Sequence, residues 1–119
     1  MVTQKEKAER FKALHEAAGC FVIANPWDAG STRILDSLGF KALATTSAGL
    51  AFSLGRSDCR ARVSKEEAFA NARDIVNATE LPVSGDLENG YHDEPEGVFA
   101  TITEAASLGL VGASIEDTT

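Results

Sequence analysis

Two carboxylates separated by one residue, Asp86 and Glu88, follow the apolar run from Leu81 to Gly85. A third, Glu116, follows the apolar run from Leu110 to Ile115. Residues two apart on an extended strand point to the same side, so a strand continuing through Asp86-Leu87-Glu88 would aim both acids into one space. Three carboxylates converging on one rim repel each other unless they share a proton or a cation. A hard divalent ion such as Mg2+, held partly through water, is the economical partner. The competing reading makes each acid a helix cap or a first-turn residue. Asp28 and Asp117 suit that role well; Asp86 and Glu116 suit it less, because they come directly off apolar strands while a cap sits a few residues later.

Other groups could serve a site on the same rim. Asn25 and Asp28 follow the first apolar run, and Thr45, Thr46, Ser47 and later Asp58 follow the second. Thr45-Thr46-Ser47-Ala48-Gly49 is a small-residue stretch that could offer amides and hydroxyls to an anion, or could be a plain tight turn. Trp27 is read as packing, with the mouth of a pocket as the alternative. His15 reads as structural or exposed, and His92 lies in a loop near the acids. Cys20 reads as core filling. Cys59 stands beside Asp58 without an adjacent histidine, which makes a poor case for a nucleophilic thiol.

The elements that must position these groups alternate along the chain. Thr3 and Glu6 have capping-box spacing and open a helix with Ala8, Phe11, Leu14 and Ala18 on one face, stopped by Gly19. Cys20 to Ala24 is a short apolar run without alternation, the pattern of a strand covered on both faces. A second helix carries Ile34, Leu35 and Leu38 to Gly39, and Phe40 to Thr46 reads as the second strand. After a long loop, Ser64 and Glu67 open a helix with Ala68, Phe69, Ala72, Ile75 and Val76 inward. Leu81 to Gly85 is the third strand. Pro95 begins a helix with Val98, Phe99, Ile102, Ala105 and Ala106 inward, and Leu110 to Ile115 is the fourth strand. Repeated strand–helix units with buried strands imply a parallel sheet, in a doubly wound fold or a (β/α)8 barrel. The first turn, NPWDAGS, has neither a dinucleotide fingerprint nor a P-loop lysine, which favours the barrel.

Composition narrows the partners. The 119 residues are 44% hydrophobic, with 18 Asp plus Glu against 11 Lys plus Arg, giving a net charge of −7. That balance suits one globular domain and argues against nucleic acid, which proteins meet with clustered Lys and Arg. No apolar run approaches the ~20 residues of a membrane span. The opening MVTQKEKAER has no signal-peptide pattern, and two cysteines without metal or disulfide spacing suit a reducing cytoplasm.

Several segments together resemble the isocitrate lyase / phosphoenolpyruvate mutase superfamily, in particular its small bacterial mutase-like and oxaloacetate-decarboxylase-like branch. They are Asn25-Pro26-Trp27-Asp28-Ala29-Gly30-Ser31, Thr45-Thr46-Ser47-Ala48-Gly49-Leu50-Ala51, Leu54-Gly55-Arg56-Ser57-Asp58, Leu81 through Tyr91, and Gly112-Ala113-Ser114-Ile115-Glu116-Asp117. They occur in the family order over essentially the whole chain.

The resemblance implies the first half of a (β/α)8 TIM barrel, an N-terminal helix plus about four βα units forming one domain over residues 1–119. It implies a lyase or mutase that uses Mg2+, or Mn2+ in its place, on a small 2-oxo acid through an enolate. Asp86, Glu88 and Glu116 would be the metal carboxylates, and Asp58 the acid beside the reacting centre. Thr46, Ser47 and Ala48 would cradle the substrate carboxylate, with Trp27 beside them. Carbon–carbon cleavage or decarboxylation is favoured over phosphonate chemistry. Relatives often carry Asp-x-Asp where this chain has Asp86-Leu87-Glu88. The sequence stops at Thr118-Thr119, before the family's mobile lid, so the chain alone is expected to be nearly inactive. A half-barrel leaves two sheet edges open, so self-association into a homo-oligomer is also expected.

Overall fold

A computed structural model describes residues 1–58 and 62–118; Cys59 lies outside the described residues. The order is α1 (Gln4–Glu16), α2 (Ala29–Ser37), β1 (Leu43–Ala44), α3 (Ser47–Ser53), α4 (Lys65–Asn77), β2 (Val83–Asp86), α5 (Pro95–Ser107) and β3 (Gly112–Ser114).

The local signals act as their chemistry dictates. Thr3 caps α1 through a reciprocal box, its hydroxyl accepting from the Glu6 amide while the Glu6 carboxylate accepts from the Thr3 amide. Ser64 accepts from Glu67 N–H at the start of α4, and Pro95 occupies the first turn of α5. The stretch after β1, expected as a loop, is instead the helix α3. Thr46 caps it by accepting from Gly49 N–H at 3.0 Å. Gly49 is required there: a Cβ would lie 2.5 Å from Thr46 Cγ2.

The three strands form a parallel sheet in the order β1-β2-β3. Leu43 pairs with Val83, and Ser84 pairs with Gly112. Residues 20–24, expected as a full strand, contribute only a parallel bridge from Ala24 to Leu43. The parallel α/β arrangement agrees with expectation; the described residues form a three-stranded sheet, with Ala24 bridged in parallel beside β1.

The core lies between the sheet and α4, where Leu43, Ile75 and Val83 are fully buried and Phe69, Ala72, Val76, Leu87, Ala105, Leu108 and Leu110 pack around them. The stripe expected for α4 is therefore its buried face. α1 is attached by polar anchors as well as by its half-buried apolar face. Lys7 Nζ donates to Thr79 O at 3.1 Å, and Gln4 Nε2 donates to Ala106 O and Leu110 O at 2.7 and 3.0 Å. Burial holds the Lys7 ammonium below its usual pKa, partly offset by the charge of Glu80.

Several inward assignments are corrected. On α5 the buried residues are Thr101 and Ala105, while Phe99 is 74% exposed and Ile102 and Ala106 also face out. Thr101 faces inward with its buried hydroxyl on the Gly90 carbonyl, eleven residues away. Val22, Ile34 and Leu38 are exposed, and in β3 Gly112 is half-buried against Phe11 while Ala113 and Ser114 are exposed. Cys20 is exposed rather than core filling. No helix among the described residues is long and apolar enough to cross a membrane.

Candidate functional site

Asp86 is the last residue of β2, and its backbone and side chain are both tied down. Its N–H donates to Thr45 Oγ1 at 2.9 Å. Its Oδ2 accepts from Ser47 N–H at 2.9 Å, and its Oδ1 accepts from Glu88 N–H at 3.2 Å. A carboxylate held by two amides is fixed in rotamer, and each oxygen keeps a lone pair for a cation or water.

The strand does not continue to Glu88. Glu88 has φ 51° and Tyr91 φ 57°, left-handed conformations that cost a non-glycine residue roughly 1–2 kcal/mol each. Such backbone persists where surrounding bonds over-determine it. Here Gly90 N–H donates to Leu87 O at 2.8 Å, Tyr91 N–H to Asn89 Oδ1 at 3.0 Å, and Glu116 N–H to Glu88 O at 2.7 Å. Asp86 and Glu88 thus reach the same space through a tight turn, not through strand alternation.

That space is a cleft of about 20 Å³, room for a water or an ion. Asp58, Asp86, Glu88, Thr45, Thr46, Ser47, Asn71 and Tyr91 supply its polar wall, over Leu50, Val63, Ala68, Ala72 and Leu87. Burial raises the Glu88 carboxyl above the usual range; a hydrogen bond with Tyr91 opposes this, and the charges of Asp58, Asp86 and Glu116 add to it. Burial, then the charge of Glu88 and its hydrogen bond, pushes the Tyr91 phenol well above its ordinary pKa. A cluster of negative charge in a water-sized space is chemically suited to a cation.

Of the residues singled out in the sequence, Asp58, Thr46, Ser47, Asp86 and Glu88 line the cleft. Trp27, Ala48 and Glu116 are not in its wall: Trp27 is 49% exposed with its Cβ packed toward Gly49, and Glu116 is exposed. The Ser47 amide, expected to meet a substrate carboxylate, is engaged by Asp86. Asp28 is the N-cap of α2, accepting from Ser31 N–H at 2.8 Å, which bears out the capping role. His92 is exposed, its Nδ1 accepting from Glu94 N–H. Asn71 and Tyr91 were missed. Asn71 is a polar residue interrupting the apolar face of α4 beside Ala68, Ala72 and Ile75, and that interruption was the available signal.

Among the described residues, no three carboxylate, imidazole or thiolate groups converge as a metal-binding set. Mg2+ does not require such a set, since it usually keeps several waters and takes one or two protein carboxylates plus substrate oxygens. The hard oxygen donors of Asp86 and Glu88 fit an ion held that way, with the cleft taking the ion itself.

Residues 11–119 match the family described as phosphoenolpyruvate phosphomutase. A solved protein of Burkholderia cenocepacia J2315, provisionally described as a lyase/mutase, superposes with a TM-score of 0.94 at 52% identity, covering 98% of this chain and 41% of that one. The oxaloacetate decarboxylase of Chromohalobacter salexigens is 29% identical over 116 residues, 98% of this chain and 40% of its own. The 2-methylisocitrate lyase of Halalkalibacterium halodurans is 31% identical over 115 residues, 97% of this chain and 38% of its own. The chain therefore spans about two-fifths of the length of these relatives.

Proposed function

The chain belongs to the phosphoenolpyruvate phosphomutase family, and on that premise we propose that it contributes the metal-carboxylate side of a lyase site for a small 2-oxo acid. The observation that carries this reading is Asp86, fixed at the end of β2 by two amides and facing a water-sized acidic cleft with Asp58 and Glu88. Asp86 and Glu88 would hold Mg2+ or Mn2+, with Glu116 reaching it through water. When bound, the ion supplies Lewis-acid stabilisation of the enolate charge that develops when a bond next to a carbonyl breaks.

The chain's own groups do the rest. Asp86 orients its free lone pairs into the cleft, because its other lone pairs are taken by the Ser47 and Glu88 amides. Thr46 and Ser47 bring hydroxyl groups to the wall where a substrate carboxylate would lie. Asp58, in the wall of the same cleft, would be the acid beside the reacting centre. Trp27 and Ala48 belong to the neighbouring surface, where a larger substrate would meet them.

The relatives named for oxaloacetate and 2-methylisocitrate favour carbon–carbon cleavage or decarboxylation. The alternative within the family is phosphonate rearrangement or P–C hydrolysis. Supplying the protein with Mg2+ and oxaloacetate, 2-methylisocitrate or phosphonopyruvate in turn decides between them. Pyruvate release from either of the first two, above that of a protein-free Mg2+ solution and lost in Asp86→Asn, supports the lyase reading; turnover of phosphonopyruvate alone overturns it. Turnover by the 119-residue chain itself should be slow, since it spans about two-fifths of its relatives, and the preference among the three compounds is read from the rate above that control.

A second reading is a non-catalytic unit that self-associates, favoured by the exposed Val22, Phe99 and Ile115 and by the edges of the three-stranded sheet. Unprotected edges and apolar surface of this kind invite pairing with another copy. Sedimentation at several concentrations tests it, and a monomer throughout counts against it.

A further inference from the structure

The turn that carries Glu88 and Tyr91 is held from behind by α5. Thr101, only 2% exposed, donates its hydroxyl to Gly90 O at 2.7 Å. One helical turn earlier, Val98 packs against the same glycine so closely that a Cβ on Gly90 would lie 2.9 Å from Val98 Cγ2. Gly90 has φ 86°, so the backbone from Glu88 to Tyr91 holds three left-handed residues in four positions. The Thr101 hydroxyl is the only side-chain donor from another helix that any of these residues receives among the described bonds.

We propose that Thr101 is a positioning residue, whose hydroxyl fixes the Gly90 carbonyl and through it sets Glu88 and Tyr91 against the cleft. The inference rests on the metal-site reading for its functional consequence, but not for its structural one. The orientation of α5 supports it. Placing Thr101 inward leaves Phe99 and Ile102 outward, against what the apolar pattern alone would select. A buried hydroxyl is tolerated when its bond is made, and removing it leaves the Gly90 carbonyl without that donor.

The test compares Thr101→Val, Thr101→Ser and, as a control, Thr79→Val, which removes another buried hydroxyl far from the cleft. Tyr91 is the chain's only tyrosine, and its ring stands edge-on to Phe69 with centroids 6.1 Å apart, so its ring protons report the turn's position by NMR. Mn2+ affinity, read by electron paramagnetic resonance, reports the site. Thr101→Val should move the Tyr91 ring signals and weaken Mn2+ at least about tenfold, the loss usual for groups that orient metal ligands. Thr101→Ser should restore both, and Thr79→Val should lower stability while leaving both unchanged. Unmoved Tyr91 signals in folded Thr101→Val, or equal shifts in Thr79→Val, overturn the proposal. If Thr101→Val does not fold, Thr101→Ala removes the same hydroxyl, and unmoved Tyr91 signals in it overturn the proposal. Wild-type protein that binds no Mn2+, with Tyr91 signals that still move in Thr101→Val, would refute the metal site while leaving the positioning role supported.

Discussion

The backbone amide of Ser47 and the carboxylate of Asp86, 39 residues apart, meet at 2.9 Å. This bond joins the start of α3 to the end of β2 and sets the rotamer of the acid that faces the cleft. The same carboxylate accepts from Glu88 N–H, so one side chain ties together the two segments that build the polar wall.

Asp86→Ala should therefore cost stability as well as any metal affinity. Hydrogen bonds to a charged group contribute about 1.5–3 kcal/mol net. A loss of about 2 kcal/mol in urea unfolding is expected, with a smaller loss for Asp86→Asn, whose amide oxygen can still accept. Equal stability of Asp86→Ala and wild type would show that the Ser47 contact carries no weight.

Gly49→Ala pits two effects against each other. Helix propensity alone would make alanine better by about 1 kcal/mol in α3. The added Cβ, however, would sit 2.5 Å from Thr46 Cγ2, and overpacking of that kind costs about 1–3 kcal/mol. The clash should win, lowering the melting temperature. Adding Thr46→Ser removes the offending methyl while keeping the cap, and should recover most of the loss. A rise in melting temperature for Gly49→Ala alone would contradict the packing described.

Glu88 makes stability depend on pH. Its pKa is raised in the folded state, first by burial. Folding is therefore favoured with Glu88 protonated, and that contribution is fully present below the unfolded carboxyl pKa of about 4.3. It is lost as pH rises through the higher folded value. In chelator-treated buffer, Glu88→Gln should be more stable than wild type at pH 7, with the gap closing toward pH 4. A constant gap across that range would show that ionisation of Glu88 is not its source. Partial exposure keeps the effect modest.

Much of the helical framework was legible because its signals are local. Thr3 with Glu6, Ser64 with Glu67, Pro95 and the stripe on α4 each act within a few residues. α3 was not legible, because SAGLAFS is too short to show a period and its cap, Thr46, looks like loop composition. The facing of α5 was misread for a different reason. Phe99 and Ile102 carry the apolar signal, but the distant Gly90 carbonyl draws Thr101 inward. For the site, the spacing of Asp86 and Glu88 drew attention to the right turn by an incorrect geometry. The left-handed backbone at Glu88 and Tyr91 depends on bonds to Asn89, Leu87 and Glu116 that no single-residue preference encodes.

The central claim is that Asp86 and its neighbours hold a divalent ion for 2-oxo acid chemistry. Mn2+ titration of the wild-type chain and of Asp86→Asn, followed by electron paramagnetic resonance with oxalate present as an enolate mimic, tests it most directly. The account predicts saturable binding at one site in the wild type, tightened by oxalate and weakened at least about tenfold in Asp86→Asn. Absent saturable binding, or equal affinity in the two proteins, would contradict it.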